Sequence, residues 1–271
     1  MPVIAKRMIL AAPRLFIGTV SPLGVSLLDN IRIVLVTPTH AGNIGAVARA
    51  MKNMRLGRLY LVSPPEFRSG EASARAAGAD DVLSQAQVLD SLSAALDGCR
   101  YVIGTSARSR RLAWPQYDPA TAAQHLMAEA AHSDVALVFG AERTGLTNSE
   151  LEHCHGLVTI PTDPDFSSLN LACAVQIMAY ELFLAAERAP AEAEETEGRA
   201  EPLADSAAVE RFYRHLEQVL IDIRFLNPKH PRKLMRRLIR MFSRIRLEVN
   251  ELNILRGILT AIQELKTRPN T

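Results

Sequence analysis

The sequence has few of the features that mark disulfide-rich, fibrous or membrane-spanning proteins. Its 271 residues include only three cysteines, 14 glycines and 15 prolines. Three cysteines cannot build a disulfide framework, so we expect a reducing compartment, the cytoplasm. The ordinary glycine and proline counts exclude collagen-like repeats. No apolar run reaches the roughly 18 residues of a membrane-spanning helix, so no membrane partner is expected.

Several common binding motifs are absent as well. No G-x-G-x-x-G follows a strand pattern, which disfavours a nicotinamide cofactor, and there is no Walker A sequence. His153, Cys154 and His155 are adjacent, but no second pair of ligands stands at a spacing typical of zinc sites. We therefore expect no metal. The 48% share of hydrophobic residues excludes wholesale disorder and is typical of a globular protein.

The near-zero net charge conceals an uneven distribution. The chain carries 31 Lys and Arg against 29 Asp and Glu, a net charge of +2. Residues 187–205 contain seven acidic side chains and two arginines, which predicts a solvated acidic linker at 189–205. Fourteen basic residues outnumber seven acidic ones from 205 to 271. This part has a net charge of +7, so the rest of the chain carries −5.

One stretch of the C-terminal part is exclusively basic. Between residues 229 and 246 there are eight basic side chains and no acidic one. Leu234, Leu238, Met241 and Ile245 recur at helical spacing and predict an apolar stripe beside a basic face. A solvated helix face normally carries both signs of charge, so this pattern favours binding to a phosphate backbone over an acidic membrane surface. The basic residues are Lys229, Arg232, Lys233, Arg236, Arg237, Arg240, Arg244 and Arg246.

Short apolar runs alternate with helical patterns between residues 31 and 188. The runs predict strands at 31–36, 59–62, 101–104, 134–139 and 157–160. Helical spacing predicts helices at 43–54, 89–96, 121–131 and 169–187, the last with Cys173 in the core. This alternation is typical of α/β proteins whose mostly parallel sheet is covered on both faces. Residues 206–271 are predicted to form a small all-helical domain.

The first 29 residues fit neither pattern. They are apolar without a clear period, and the one candidate signal sequence has an apolar run of only five residues. We expect a loosely ordered extension at 1–29.

Polar or glycine-rich segments follow three of the predicted strands, at 39–52, 138–146 and 160–172. Ligands of open parallel sheets bind at the carboxyl ends of strands. In the first segment, Asn43 is predicted to cap a helix and Gly45 to admit another backbone closely. The second is a Glu–Arg loop between two glycines, and the third offers hydroxyl and amide groups at the start of a helix. These segments are therefore the candidate ligand site.

Six segments of the chain, taken in order, carry the motifs of a known family. They are NIGAVARAMKNM at 43–54, GTSARSR at 104–110, LVFGAERTGLTNSEL at 137–151, SSLNLACAVQIMAYE at 167–181, FYRHLEQVL at 212–220 and ELNILRGIL at 251–259. Together they resemble the TrmH-like RNA 2′-O-methyltransferases of the SPOUT superfamily. The resemblance runs from about residue 30 to 262, apart from the linker, and residues 1–29 have no counterpart in it.

The resemblance implies a fold and a cofactor that spacing alone does not. The family fold is a SPOUT-type parallel sheet whose C-terminal portion, here within a domain at 30–188, is tied in a deep trefoil knot. The family binds S-adenosylmethionine in the knot loops and forms homodimers. Carried over to this sequence, the cofactor-binding residues are Thr105, Ser106, Ala107, Gly140, Ile160, Ser167, Ser168 and Leu169.

The resemblance also implies the reaction and its residues. The expected reaction is methyl transfer to a ribose 2′-hydroxyl of tRNA, at a cytidine or uridine in position 32 of the anticodon loop. Arg49 has the central role with Asn43 nearby, Ser168 and Asn170 position the substrate and the arginine, and Glu142 holds Arg49 or the cofactor loop. A guanidinium is always protonated, so stabilisation of the developing alkoxide fits Arg49 better than a general base does.

The C-terminal domain is expected to bind tRNA through the residues Lys229, Arg232, Lys233, Arg236, Arg237, Arg240 and Arg244. Two alternatives stay open. One is the same chemistry on ribosomal RNA or at another tRNA position, and the other is a catalytically silent RNA-binding homologue. The basic helical domain favours tRNA as the substrate, and the presence of both Asn43 and Arg49 disfavours a catalytically silent homologue.

Overall fold

A seven-stranded parallel sheet forms the centre of the structure. The computed structural model describes residues 26–68, 70–107, 114–188, 201–229 and 233–267. Within them the strand order is β3-β2-β1-β6-β4-β7-β5, and neighbouring strands run parallel. The strands are β1 (Ile31–Val36), β2 (Arg58–Val62), β3 (Gln87–Leu89), β4 (Tyr101–Thr105), β5 (Gln116–Tyr117), β6 (Val135–Phe139) and β7 (Gly156–Val158).

Helices cover both faces of this sheet and continue beyond it. They are α1 (Ala41–Asn53), α2 (Gly70–Ala76), α3 (Asp80–Gln85), α4 (Leu92–Ala95), α5 (Pro119–Ala130), α6 (Asn148–Leu151), α7 (Leu171–Arg188), α8 (Ser206–Asp222), α9 (Leu234–Ile245) and α10 (Val249–Thr267). In β1, Ile33 and Leu35 belong to one buried cluster, whereas Val34 and Val36 belong to the other. The alternation places a core on each side, as the sequence predicts. None of the described helices is long and apolar enough to cross a membrane.

The five predicted strands are confirmed, with ends that shift by at most two residues. The helix predicted at 89–96 is confirmed only over four of its residues. Residues 87–89 pair with β2 as a strand, and only Leu92–Ala95 are helical, with Ser91 accepting a hydrogen bond from the Ala94 N–H. The short strands β3 and β5 were missed, because partners elsewhere in the chain hold these residues in extended conformation and their local pattern does not.

Helix α1 differs from its prediction in one respect that matters for the site. It begins two residues early, with His40 at the N-cap, so Asn43 lies inside the helix and the prediction that it caps the helix is wrong. The close approach at Gly45 is confirmed, since a Cβ there would lie 2.0 Å from the Ala72 carbonyl oxygen of α2.

Cys173, predicted in the core, is exposed on α7.

The last residues of the predicted N-terminal extension and of the predicted linker are ordered parts of the fold. Ser26 caps a 3-10 helix at Leu27–Asn30 and Leu28 is buried, so the extension does not reach residue 29. In the linker, Leu203 bridges Glu248 and is buried, and the Asp205 carboxylate caps α8. These residues are ordered because they pack against neighbours that are distant in sequence. Residues 1–25 and 189–200 lie outside the described residues.

Helices α8, α9 and α10 share a small core of their own. The Phe212 and Phe242 rings meet edge to face at 5.1 Å, and Leu252 and Leu259 of α10 are buried beside them. The predicted stripe on α9 is not part of this core. Met241 is 45% exposed and Ile245 56% exposed, because the helix turns the side with Phe242 toward the core.

Candidate active site

A cavity of about 240 Å³ opens at the carboxyl ends of three neighbouring strands, β4, β6 and β7. Its walls come from the loops that follow these strands, where open parallel sheets hold their ligands. All the residues predicted to bind the cofactor line this one cavity. They are Thr105, Ser106, Ala107, Gly140, Ile160, Ser167, Ser168 and Leu169.

The loop after β6 is folded tightly upon itself at the cavity wall. A Cβ on Gly140 would lie 2.2 Å from the Leu146 nitrogen, so only glycine fits there. The Gly145 N–H donates to the Ala141 carbonyl at 2.8 Å, and Gly145 has a φ of +64°, a backbone conformation that favours glycine. The two glycines thus allow the tight fold of this loop at the cavity wall.

A chain of hydrogen bonds joins three loops beside the cavity. Asn170 Nδ2 donates to Asn43 Oδ1 at 3.2 Å, and Asn43 Nδ2 donates to Glu142 Oε1 at 2.9 Å. Glu142 Oε2 accepts from the Thr39 N–H at 2.9 Å and from Thr39 Oγ1 at 2.8 Å. At the other end, Asn170 Oδ1 accepts from the Ala172 N–H at 2.9 Å. Backbone donors therefore fix the direction of the chain at both ends.

Glu142 is held as a carboxylate by these donors. Its partial burial raises the pKa, but the hydrogen bonds from Asn43 and Thr39 outweigh that effect and place the pKa below its ordinary value. Of the two roles predicted for Glu142, the hydrogen bonds in the described part of the chain favour a link to the cavity loop over a contact with Arg49. Glu142 thus holds α1 to the cavity loop.

Arg49 and Ser168 lie apart from this chain. Ser168 is exposed at the cavity mouth. Arg49 is exposed on α1, six residues and hence about 9 Å along the helix axis from Asn43, and it does not line the cavity. Of the five predicted catalytic residues, the hydrogen-bond chain brings together Asn43, Glu142 and Asn170.

Sequence reasoning did not single out Thr39 as a site residue. It begins the first ligand segment, but its bond to Glu142 spans 103 residues and has no signal in the local pattern. Arg143 and Thr144, which also line the cavity, stand in the second ligand segment and could have been included on that ground.

The His-Cys-His sequence has a structural role. His155 Nδ1 accepts from the Val102 N–H at 3.1 Å, and its ring packs on that of Tyr101 with centroids 5.4 Å apart. Burial, aided by the nearby positive charge of Arg246, lowers the pKa of His155 to about 4. Burial raises the pKa of the Cys154 thiol to about 12. Among the described residues, no three His, Cys, Asp or Glu side chains are grouped to hold a metal.

The basic side chains of the C-terminal part occupy different environments. Lys229, Lys233, Arg237 and Arg244 are exposed, and Arg240 is partly buried. Arg236 is exposed as well, but it forms an ion pair, with its Nε 3.0 Å from Glu152 Oε1. Arg232 lies outside the described residues.

The chain is similar to known RNA methyltransferases. The model described as SpoU rRNA Methylase family matches residues 30–180, and that of tRNA methyltransferase TrmJ, C-terminal domain, matches 207–271. The tRNA (cytidine/uridine-2'-O-)-methyltransferase TrmJ of Pectobacterium atrosepticum is 53% identical over 239 residues, which cover 88% of this chain and 98% of the relative. Its counterpart from Yersinia pestis is 51% identical over 246 residues, which cover 90% and 95%.

Solved structures agree with this relationship. The crystal structure of TrmJ from Z. mobilis ZM4 superposes with a TM-score of 0.75 at 33% identity, covering 86% of this chain and 98% of that one. A probable methylase family protein from Haemophilus influenzae Rd KW20 gives a TM-score of 0.57 at 41% identity, covering 88% and 97%. The resemblance drawn from the motifs is thus confirmed, and the chain belongs to the SpoU methylase family.

Proposed function

We propose that the protein transfers a methyl group from S-adenosylmethionine to the ribose 2′-hydroxyl of a tRNA cytidine or uridine. The observation that carries this proposal is the gathering of every predicted cofactor residue around one cavity, at the strand ends where open parallel sheets bind ligands. The names of the relatives, which specify cytidine and uridine 2′-O methylation of tRNA, support the substrate.

The cavity fits the proposed cofactor. Ile160 and Leu169 supply apolar contact for an adenine ring, while Thr105 and Ser106 offer hydroxyl and main-chain groups. Gly140 lets the loop that lines the cavity fold against its own main chain, because a Cβ there would overlap Gly145 and Leu146. When bound, S-adenosylmethionine supplies an electrophilic methyl group on a sulfonium. The protein has to place the 2′-hydroxyl in line with it.

Asn43 and Asn170 are the residues that we expect to orient the ribose. Their amides are fixed by Glu142 on one side and the Ala172 N–H on the other. Glu142 stays ionised and accepts hydrogen bonds, so it does not serve as an acid. Arg49 stays protonated and is accessible to RNA on α1, where its charge stabilises the developing alkoxide or the adjacent phosphate that receives the proton.

The C-terminal domain at 206–271 supplies the RNA affinity in this proposal. Its excess of positive charge would contact phosphates without regard to sequence and would make binding depend on salt. The match of residues 207–271 to the TrmJ C-terminal domain supports tRNA over ribosomal RNA. Position 32 and a cytoplasmic location follow from the resemblance and belong to the same proposal.

We also propose that the fold is knotted and that the enzyme is a homodimer. Strand β7 lies between β4 and β5 in the sheet although it follows both of them in sequence, and this insertion supports a knotted C-terminal portion. Phe166, next to the cavity-lining Ser167, is 82% exposed, and Tyr180 of α7 is 47% exposed, which supports a second copy covering them.

Mass spectrometry of tRNA and rRNA nucleosides after reaction with S-adenosylmethionine tests the proposal. We expect 2′-O-methylcytidine or 2′-O-methyluridine at tRNA position 32. Arg49→Ala should abolish turnover while S-adenosylmethionine affinity stays within about twofold, because Arg49 lies outside the cavity. More than a tenth of wild-type turnover in that variant would refute the role of Arg49, and methylation of rRNA alone would refute the substrate.

A further inference from the structure

Two arginines of the basic stretch at 229–246 form ion pairs with the sheet domain. Arg236 Nε lies 3.0 Å from Glu152 Oε1, just beyond α6. Arg246 Nη2 lies 2.6 Å from Glu129 Oε1 of α5, and its guanidinium is 4.5 Å from the centre of the Tyr101 ring in β4. All three partners belong to the sheet domain, so both arginines join the C-terminal helices to that domain.

These contacts fasten α9 at both of its ends. Arg236 is in its first turn and Arg246 is its C-cap residue, with a left-handed φ of +59°. Ten residues separate them, which corresponds to about 15 Å of helix. The side chains of Arg246 and Glu129 are only 24% and 14% exposed, so their ion pair is screened less than a surface pair. Arg236 is 45% exposed, and its partner Glu152 is 21% exposed. Two contacts about 15 Å apart restrain the orientation of α9 on the sheet domain.

Four other basic residues share one side of α9. At 100° per residue, Lys233, Arg237, Arg240 and Arg244 fall within an arc of about 60°, and Arg246 lies on the opposite side of the helix. Arg236 lies about 40° beyond Arg240, at the edge of this arc, and differs from the four in its ion pair with Glu152. Within the part of the chain that the structure describes, no acidic side chain pairs with any of these four residues. We call these four residues the basic arc.

We propose that Arg236 and Arg246 are positioning residues, and that they fix the basic arc relative to the cofactor cavity while the arc itself contacts the RNA phosphates. This inference rests on the proposed function and changes the expectation that Arg236 is an RNA contact. Its consequence is that the distance between the phosphate-binding arc and the reacting ribose is set by two ion pairs on the catalytic domain.

The two roles of Arg236 predict different responses to salt. Each phosphate contact contributes about 0.7–0.9 to the slope of log K against log salt concentration, through release of counterions. A residue that contacts RNA contributes to this slope, and a residue that holds the helix does not. Glu152 provides the sharper test, because Glu152→Gln breaks the ion pair and leaves the charge of Arg236 in place.

The experiment uses the full-length protein with four variants, Glu152→Gln, Arg236→Gln, the charge swap Glu152→Arg/Arg236→Glu, and Arg237→Gln as the matched control from the basic arc. For each we would measure the tRNA dissociation constant at several salt concentrations, kcat/KM for tRNA methylation, and S-adenosylmethionine affinity. Circular dichroism checks that each variant is folded. The swap preserves net charge, so a change in its slope cannot come from overall electrostatics.

We expect Arg237→Gln to reduce the salt slope by about one. Glu152→Gln and Arg236→Gln should keep the wild-type slope and lose about 3–10-fold in kcat/KM, as typical for a partly buried ion pair. The swap should recover kcat/KM to within about twofold. The inference is overturned if Glu152→Gln leaves kcat/KM unchanged or tightens RNA binding. It is also overturned if the charge swap lowers the salt slope. Either result would mean that Arg236 contacts RNA. Failure of the wild-type protein to methylate tRNA would refute the proposed function separately.

Discussion

Replacing Glu142 with glutamine would disturb the hydrogen-bond chain at the cavity without changing its shape. Oε2 of Glu142 accepts from the backbone of Thr39, so the oxygen of a glutamine has to take that place. Its NH2 group then faces Nδ2 of Asn43, a second donor. If the Asn43 amide is flipped, its NH2 group faces the NH2 group of Asn170, again two donors. Asn170 cannot flip in turn, because its oxygen accepts the hydrogen bond from the Ala172 N–H. Every arrangement therefore leaves one donor facing another.

The structure sets the size of the effect. A hydrogen bond to a charged group contributes about 1.5–3 kcal/mol, and water at this partly exposed site would replace some of it. We expect a net loss of about 1–2 kcal/mol, which is roughly 5–30-fold in kcat/KM if the chain orients the ribose. The same loss lowers the melting temperature by about 2–8 °C in a domain of this size.

Steady-state tRNA methylation and thermal unfolding would measure both effects. Glu66→Gln, at an exposed carboxylate outside the cavity, controls for the loss of one negative charge. The double variant Glu142→Gln/Asn43→Asp restores complementarity, because an aspartate accepts from both neighbours and returns the lost charge. We expect it to recover the melting temperature. A single variant with more than half of wild-type kcat/KM, or a double variant no more stable than the single one, would refute the reasoning.

Two further predictions concern the cavity wall and the His-Cys-His sequence. Gly140→Ala should abolish S-adenosylmethionine binding in calorimetry, since its Cβ would lie 2.2 Å from the Leu146 nitrogen; binding within threefold of wild type would contradict this. His155 has a folded-state pKa of about 4 against 6.5 when unfolded, so the unfolded chain binds its proton first as pH falls. The free energy of unfolding should therefore decrease by up to about 3 kcal/mol between pH 6.5 and 4 in urea titrations. His155→Asn keeps an acceptor for the Val102 N–H and should make the free energy of unfolding less dependent on pH. An unchanged pH profile in this variant would contradict the role of His155.

The strands and the cofactor loops were predictable because their signals are local. Apolar runs such as 31–36 and 134–139 have few conformations other than a buried strand, and ligand loops of parallel sheets follow strand ends. The edge strands β3 and β5 have three and two residues, too few for a pattern, and are defined by the backbone of their neighbours. Cys173 shows a second limit, because helical spacing identifies an apolar face but not whether anything covers it.

The sequence by itself determined the order of strands and helices, the family, the residues of the cavity and the concentration of positive charge near the C-terminus. Only the tertiary structure decided which of those residues work together. It placed Asn43 inside α1, in a hydrogen-bond chain with Glu142 and Asn170. It also distinguished the four residues of the basic arc from Arg236 and Arg246, which form ion pairs with the sheet domain. The physical reason is the same in both cases. Hydrogen bonds and ion pairs depend on partners about 100 residues away in sequence, and no local pattern specifies which partner is near.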